Sequence, residues 1–221
     1  MTRHTSDIAL GIDVGGERKG FHAVALNSSR KVVGEPYRLA TAAEIGPLIA
    51  KLSPAVVAID APCQWSQDKS REAERALARA GIRSFCTPSR ARAQQNLTFY
   101  GWMFQGEAAF AAATSTHPHF GGGKSVRGHT IEVFPNATTI VLTGQPNPKG
   151  ISKNQWRRQL LAEQGIAPTQ FTNIDHVDAA LCAFTGLIAL ESGFTAYGDT
   201  SGGYLIAPSA RCARDQASSS K

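Results

Sequence analysis

The sequence predicts a mixed α/β domain in which a five-stranded sheet carries helices on both faces. Two observations lead to this prediction. Three extended segments joined by short turns open the chain, and buried strands then alternate with amphipathic or apolar helices. The short turns predict a three-strand antiparallel meander, and the helical connection after it allows parallel strands beside it.

The three opening strands are predicted from their apolar residues. Residues 8–14 form an almost continuous apolar run, as expected of a central strand that is covered on both faces. Residues 21–26 and 31–39 are the next two extended segments. The turn-prone tetrad Asn-Ser-Ser-Arg at 27–30 separates them, so an antiparallel pairing is expected.

A helix and a second buried strand come next. Thr41, with Glu44 three residues later, is typical of a helix start, and this helix should run to about residue 52. Residues 55–60, Ala-Val-Val-Ala-Ile-Asp, predict another buried strand. A strand that returns through a helix can lie parallel to the first strand at the centre of the sheet.

The rest of the chain alternates helices, loops and short strands. A further strand is expected at residues 130–134 and a final edge strand at 204–207. Residues 117–128 are rich in Gly, His and Pro and should form an exposed loop. One domain is expected over residues 7–208, and a disordered polar tail over 209–221. Further helices are expected at residues 70–80, 100–114, 153–164 and 175–192.

Composition and charge limit the classes of protein. A chain of 221 residues with 42% hydrophobic and 18% charged residues has the composition of a soluble globular protein. Its net charge of +6 favours polyanionic partners such as nucleic acid. No signal peptide or membrane span is expected, because residues 1–7 are polar and the longest apolar stretch, 179–190, is short. Four cysteines without metal-ligand spacing favour a cytoplasmic location, and the oligomeric state stays open, a dimer included.

Asp13 and Asp60 are the first candidate site residues. Each lies late in a predicted buried strand, where an ionised carboxylate is costly unless a partner compensates it. If the two strands are parallel neighbours, both carboxylates emerge at the carboxyl ends, where open α/β sheets place ligands. Either aspartate alone could instead cap a turn or pair with a basic residue, but two such strand ends favour a site.

Asp175 and Asp178 lie three residues apart at the start of the last predicted helix, so they share one face. Helix capping explains Asp175 well and Asp178 passably. Capping does not explain why an otherwise apolar helix with many small residues places two acids there. The small residues allow close approach to the sheet, which would bring these carboxylates towards Asp13 and Asp60.

Converging carboxylates repel one another unless a cation lies between them, and Mg²⁺ prefers oxygen ligands. We therefore expect Mg²⁺ or Mn²⁺ as a cofactor, as one or two ions. Glu132 lies in the strand predicted at 130–134 and is either a fifth acid of the site or an edge-strand surface residue. Gly15 and Gly16, after Asp13, permit a close approach of the backbone to a phosphate.

Six motifs, in order, resemble the predicted RNase H-like nucleases of domain-of-unknown-function family 429. The resemblance extends over residues 8–208, nearly the whole chain. One departure is Cys63-Gln64, where the family pattern has Leu-Gly, and it affects a loop expected to line the substrate site. The motifs are GIDVGG, AIDAP, SREAERALARAGI, IEVFP, DHVDAALCA and a late GD…GG…IAP.

The resemblance implies an RNase H-like fold whose metal-site positions are Asp13, Asp60 and Asp178. Asp175 is then the companion acid, as in resolvases of the RuvC type. Further positions that match family motifs are Glu132, Arg71, Glu74 and Arg75, and the two arginines are expected to contact substrate.

Basic residues precede an aromatic stretch. Arg83, Arg90 and Arg92 come before Phe99-Tyr100-Gly101-Trp102-Met103-Phe104, a pattern that suits single-stranded nucleic acid. A solvated basic loop leading into a core helix is the interpretation that we favour, although Arg90 and Arg92 are kept as candidate substrate-binding residues. The basic residues of the helix at 153–164, including Lys153 and Arg157, are expected to form a solvated face.

The function predicted is metal-dependent hydrolysis of phosphodiester bonds in DNA or RNA by the clustered carboxylates. One alternative is a nucleotide-binding phosphotransferase of the actin and sugar-kinase type, because GIDVGG resembles its first phosphate loop. The sequence AIDAPCQ lacks the glycine of a second such loop. Another alternative is a nucleic-acid-binding module that retains the acids without turnover.

Overall fold

A mixed seven-stranded sheet forms the centre of the protein in a computed structural model, which describes residues 7–210. Helices cover both faces of this sheet. Its strands are β1 (Ile8–Val14), β2 (Phe21–Asn27), β3 (Tyr37–Leu39), β4 (Val56–Asp60), β5 (Thr130–Val133), β6 (Phe194–Asp199) and β7 (Gly203–Pro208). The helices are α1 (Ile45–Leu52), α2 (Glu72–Arg79), α3 (Arg90–Gln94), α4 (Leu97–Ala113), α5 (Pro135–Thr143), α6 (Lys153–Glu163) and α7 (Ile174–Leu190).

The strand order is β3-β2-β1-β4-β5-β7-β6. β1 pairs antiparallel with β2 and parallel with β4, and β5 and β7 continue the parallel part of the sheet. The predicted mixed α/β class, with an antiparallel meander beside parallel strands, is confirmed. Thr41 also begins the first helical segment as predicted, since its backbone N–H donates to the Glu44 carboxylate at 2.9 Å.

The predicted count of five strands is wrong. β6 and β7 form an antiparallel hairpin after α7, and β7 lies inside the sheet between β5 and β6 rather than at its edge. β6 is the edge strand, and each of its six residues is partly exposed. A strand with no buried face lacks the alternation of apolar and polar residues that predicts strands.

α7 packs against one face of the central strands, while α1 and α4 cover the other. The approach of α7 to β1 is very close at Gly11. A β-carbon built on Gly11 would lie 2.1 Å from the Ala179 carbonyl oxygen and 2.2 Å from the Ala183 nitrogen. The small residues on both elements therefore set the depth at which α7, with its two aspartates, meets the sheet.

The segment predicted as an exposed loop at 117–128 is only partly exposed. His117 is buried and its Nε2 lies 2.9 Å from the Pro54 carbonyl oxygen, and Phe120 and Val126 are also buried. The glycines between them are exposed. Most of the tail predicted at 209–221 lies outside the described residues. Within residues 7–210, no helix is both long and apolar enough to cross a membrane.

Candidate active site

Asp13 and Asp60 lie side by side at the carboxyl ends of β1 and β4. The two residues are register partners in the parallel pair, and neighbouring strands are about 4.8 Å apart. Their side chains share the sheet face of Gly11 and Ala58, which α7 covers. The structure thus brings these two carboxylates together, as the sequence predicts.

Burial and repulsion disfavour the charged forms of this pair. Burial first, and then the charge of Asp60, raise the pKa of Asp13 from 3.8 to about 8. Burial and the charge of Asp178 likewise raise the pKa of Asp60 to about 7. Among residues 7–210, neither carboxylate has a hydrogen-bond or salt-bridge partner. The pair therefore needs a proton or a cation to become electrostatically stable.

Asp178 lies near this pair, in the second turn of α7, but it forms ion pairs with basic residues of α6. The Arg157 guanidinium donates to its Oδ1, and Lys153 Nζ lies 2.9 Å from its Oδ2. Arg157 is 4% exposed. The prediction that Arg157 belongs to a solvated face is therefore wrong, because this residue neutralises a buried acid. Asp178 as a metal ligand remains a prediction.

Asp175 is not the cap of α7. Asn173 occupies that position, and its Oδ1 accepts the His176 backbone N–H at 2.8 Å. The Asp175 carboxylate instead pairs with Lys19 Nζ at 3.1 Å, across the groove from the turn after β1. Asp175 is thus a polar group of the groove wall rather than a structural cap.

Glu132 belongs to a different cluster from the other acids. It pairs with Ile59 in the sheet register, one residue before Asp60, so its side chain leaves the opposite sheet face. Its oxygens accept two hydrogen bonds from Arg71, at 2.7 and 2.6 Å, and one from the Cys63 backbone N–H at 2.8 Å. It is 4% exposed on an interior strand, so the interpretation as an edge-strand surface residue is wrong.

Arg71 is buried with Glu132 rather than exposed to a substrate. Its Nε donates to Glu74 at 2.8 Å, and its terminal nitrogens donate hydrogen bonds to Glu132 and to the Gly202 carbonyl oxygen. The prediction of substrate contact by Arg71 is corrected accordingly. The buried network ties the segment after β4 to β5 and to the β6–β7 turn, and so supports the strand end that carries Asp60.

The other basic candidates lie at the surface. Arg75 pairs with Glu72, and Arg90 pairs with Glu107 while lying over the Phe104 ring. Arg92 is exposed and, within residues 7–210, forms no ion pair through its side chain. These three residues stay candidates for contacts with substrate.

An open groove of about 1020 Å³ joins the aspartates to these surroundings. One wall carries Gly15, Gly16 and Lys19, from the turn between β1 and β2. Lys153 stands on the α6 side. The first turns of α4 also line the groove, with Leu97, Thr98, Gly101, Trp102, Phe104 and Gln105. All four acids, Asp13, Asp60, Asp175 and Asp178, line the groove.

Two carboxylates, those of Asp13 and Asp60, are available as ligands for a divalent cation. In the described residues, no three His, Cys, Asp or Glu side chains are arranged to hold a metal together. Mg²⁺ is commonly held by one or two carboxylates, with waters and substrate phosphate completing its coordination. The partnerless carboxylates of Asp13 and Asp60 fit that requirement, because a cation would relieve the repulsion that raises their pKa values.

Sequence reasoning missed two histidines beside the acids. His22 is the register partner of Asp13 on β2, and its ring meets that of His176 edge-on at 4.9 Å. Burial lowers the pKa of both rings, so they are neutral near pH 7. The one sequence signal for this pair was His22 itself, a polar residue within the second predicted strand. No sequence signal indicated that Lys19 would pair with Asp175.

Comparison with known proteins gives one family, and the similar solved structures include two of RuvC. The family described as "Protein of unknown function (DUF429)" matches residues 11–200. A Thermus thermophilus RuvC structure is similar with 13% identity and a TM-score of 0.42, covering 82% of this chain and 95% of that chain. T. thermophilus RuvC in complex with Holliday junction substrate is similar with 15% identity and a TM-score of 0.43, covering 90% and 99%. No curated protein matches the chain significantly.

Proposed function

The chain belongs to the DUF429 family, and we propose that it hydrolyses phosphodiester bonds of nucleic acid with divalent cations held at Asp13 and Asp60. The observation that carries this proposal is the register pairing of the two aspartates at the floor of an open groove. Within residues 7–210, the buried carboxylate of Asp13 and the partly buried carboxylate of Asp60 have no hydrogen-bond or ion-pair partner, and the cost of folding them so favours a bound cation.

The charges around the pair suit a phosphate backbone. Lys19 and Lys153 are exposed cations at the groove, and the net charge of the chain is +6. A phosphodiester entering the groove would have its charge offset by these lysines and by the cation.

Each residue of the site has a distinct part in this proposal. Asp13 and Asp60 would hold the cation, and Asp178, whose carboxylate pairs with Lys153 and Arg157, would be a further ligand. Asp175, partly exposed beside Lys19, orients the attacking water. When bound, a divalent cation neutralises substrate charge and lowers the pKa of water. The water gives up a proton to solvent as its oxygen bonds to phosphorus, one P–O ester bond breaks, and the released oxygen takes a proton from solvent.

The test measures cation binding and cleavage separately. Titration with Mn²⁺ should raise the melting temperature of the wild-type protein, and Asp13→Asn and Asp60→Asn should each lose that increase. Labelled single-stranded, duplex and branched DNA and RNA are then incubated with Mg²⁺ or Mn²⁺. Both variants should lose cleavage by at least about a hundredfold while keeping the wild-type fold.

Asp68→Asn is the matched control, because Asp68 is an exposed aspartate outside the groove. It should keep both the Mn²⁺ response and cleavage. Wild-type turnover in Asp13→Asn or Asp60→Asn would overturn the proposal. Nucleic-acid binding without cleavage under every cation would instead identify a binding module.

A further inference from the structure

Three large apolar side chains are left exposed in one short stretch of the fold. Within residues 7–210, the exposed large hydrophobic residues are Phe85, Leu97 and Phe99, at 43, 59 and 54% exposure. Isolated exposed apolar residues are ordinary, but a group of them at one place marks a binding surface. The sequence-based expectation of a core helix here is therefore wrong for the first turn of α4.

The exposed rings of Phe85 and Phe99 form one continuous cluster with the partly exposed rings of Tyr100 and Trp102. Phe85 contacts Phe99, Tyr100 and Trp102 at ring-centroid distances of 5.6, 6.0 and 6.3 Å. Phe99 and Tyr100 meet edge-on at 4.9 Å. We call these four residues, Phe85, Phe99, Tyr100 and Trp102, the aromatic platform. Its members hold one another in place, so its surface is preformed rather than assembled on binding.

The platform adjoins the candidate active site. Trp102 lines the groove together with Asp13 and Asp60. Trp102 and Phe85 also line a smaller cavity of about 70 Å³, which Asp60 lines as well. A chain molecule with its phosphate at the aspartate pair would therefore place its neighbouring units against the platform.

Trp102 packs partly against the core, whereas Phe85 and Phe99 are largely left to solvent. α4 already buries Met103, Ala109, Phe110 and Ala113 against the sheet. Phe99 adds little to that contact, since 54% of its surface stays exposed. Burying this ring on a ligand would remove apolar area from water that the fold leaves exposed.

The charge near the platform narrows the class of ligand. Arg83 and Arg92 are exposed, and in the described part of the chain their side chains have no acidic partner. An aromatic surface beside unpaired arginines fits a ligand with flat apolar rings and regularly spaced negative charges. Nucleic acid with unpaired bases has both features, whereas a duplex hides its ring faces in the stack.

We propose that the aromatic platform stacks unpaired nucleobases of a strand whose phosphodiester lies at Asp13 and Asp60, so that the substrate is single-stranded or contains unpaired nucleotides. This inference rests on the proposed function for the position of the phosphodiester. The stacking itself is a binding property, and it is measured without turnover.

Binding is measured in EDTA by fluorescence anisotropy, so that a failure of cleavage does not affect the result. The probe is a labelled thymidine oligomer of about 20 nucleotides, compared with a base-free oligomer of equal length and charge. The wild-type protein should bind the thymidine oligomer roughly tenfold or more tightly than the base-free one. Equal affinity for both would overturn the proposal. A uridine oligomer and a blunt duplex complete the set, and a duplex bound as tightly as the single strand would also overturn it.

Variants of Phe99 separate stacking from general hydrophobic contact. Phe99→Leu keeps an apolar side chain without a ring, and it should weaken binding of the thymidine oligomer about 5- to 100-fold. Phe99→Trp should retain wild-type affinity, and neither change should weaken binding of the base-free oligomer. Unchanged affinity in Phe99→Leu, combined with a smaller sedimentation coefficient, would identify the platform as an interface between two copies of the chain and overturn the proposal.

Discussion

Arg157, on α6, forms a buried ion pair with Asp178, on α7, beside Asp13 and Asp60, which have no such partner within residues 7–210. The pair joins two helices that are separated by a loop and gives one of the three neighbouring aspartates a buried cation. Lys153 completes the contact from the solvent side, at 2.9 Å from the other oxygen of Asp178.

Replacing the two cations of this contact should have unequal effects on stability. Arg157→Met leaves a buried carboxylate without its buried partner and should lower the free energy of unfolding by about 3–5 kcal/mol. Lys153→Gln removes an exposed partner and should cost less than about 1 kcal/mol. Urea unfolding at pH 7 measures both. A larger loss in Lys153→Gln than in Arg157→Met would contradict the assignment.

The metal-free protein should gain stability when Asp13 is replaced. The pKa of Asp13 is raised in the folded state, so the folded protein binds a proton that the unfolded chain releases. The stability due to this proton is complete below pH 4 and is lost as the pH rises through about 8. Asp13→Asn should therefore be more stable than wild type at pH 8, by at least about 1 kcal/mol, and equal to it near pH 4.

Unfolding in EDTA between pH 4 and 8 measures this difference. Mn²⁺ at pH 8 should reverse the order of the two proteins, since only the wild type retains both ligands. A difference between wild type and Asp13→Asn that does not vary with pH would show that the carboxylate is not held in its protonated form.

The Arg71–Glu132 pair should stabilise the fold and should affect activity only through the fold. Glu132→Gln removes the charge that offsets a guanidinium with only 2% exposure and should cost about 3–5 kcal/mol. Arg75→Ala, one helical turn along, changes an exposed arginine and should leave the melting temperature unchanged. At a temperature where both variants are folded, Glu132→Gln should retain Mn²⁺ binding, because its carboxylate leaves the other face of the sheet.

Two glycines should respond in opposite directions to alanine. Gly11→Ala places a methyl group within 2.2 Å of the backbone of α7, so this helix must move or the protein must fail to fold. Gly101→Ala places a methyl group in open space within α4, where it should stabilise the helix by about 0.5–1 kcal/mol. Soluble yield and thermal melting of the two variants measure the contrast, and a folded Gly11→Ala with a wild-type melting temperature would contradict the packing described.

Hydrophobic patterning predicted the parts of the fold that have a buried face. β1 and β4 are continuous apolar runs with an aspartate near the end, and this pattern was sufficient to place Asp13 and Asp60 in one site. β6 escaped prediction because none of its residues is buried. The strand order around β7 could not be predicted, since pairing between strands depends on the helix that returns the chain.

The sequence by itself determined that two acids end neighbouring strands and that two more begin an apolar helix of small residues. Only the tertiary structure decided which acids receive a basic partner. Asp178 receives Arg157 from 21 residues away, and Glu132, outside this group of four, receives Arg71 from 61 residues away, whereas Asp13 and Asp60 receive no partner within residues 7–210. The reason is that an ion pair depends on distance in space and on burial, and neither is encoded in the local spacing of residues. The exposure of Phe99 likewise depends on the tertiary packing around the first turn of α4, which local spacing does not encode.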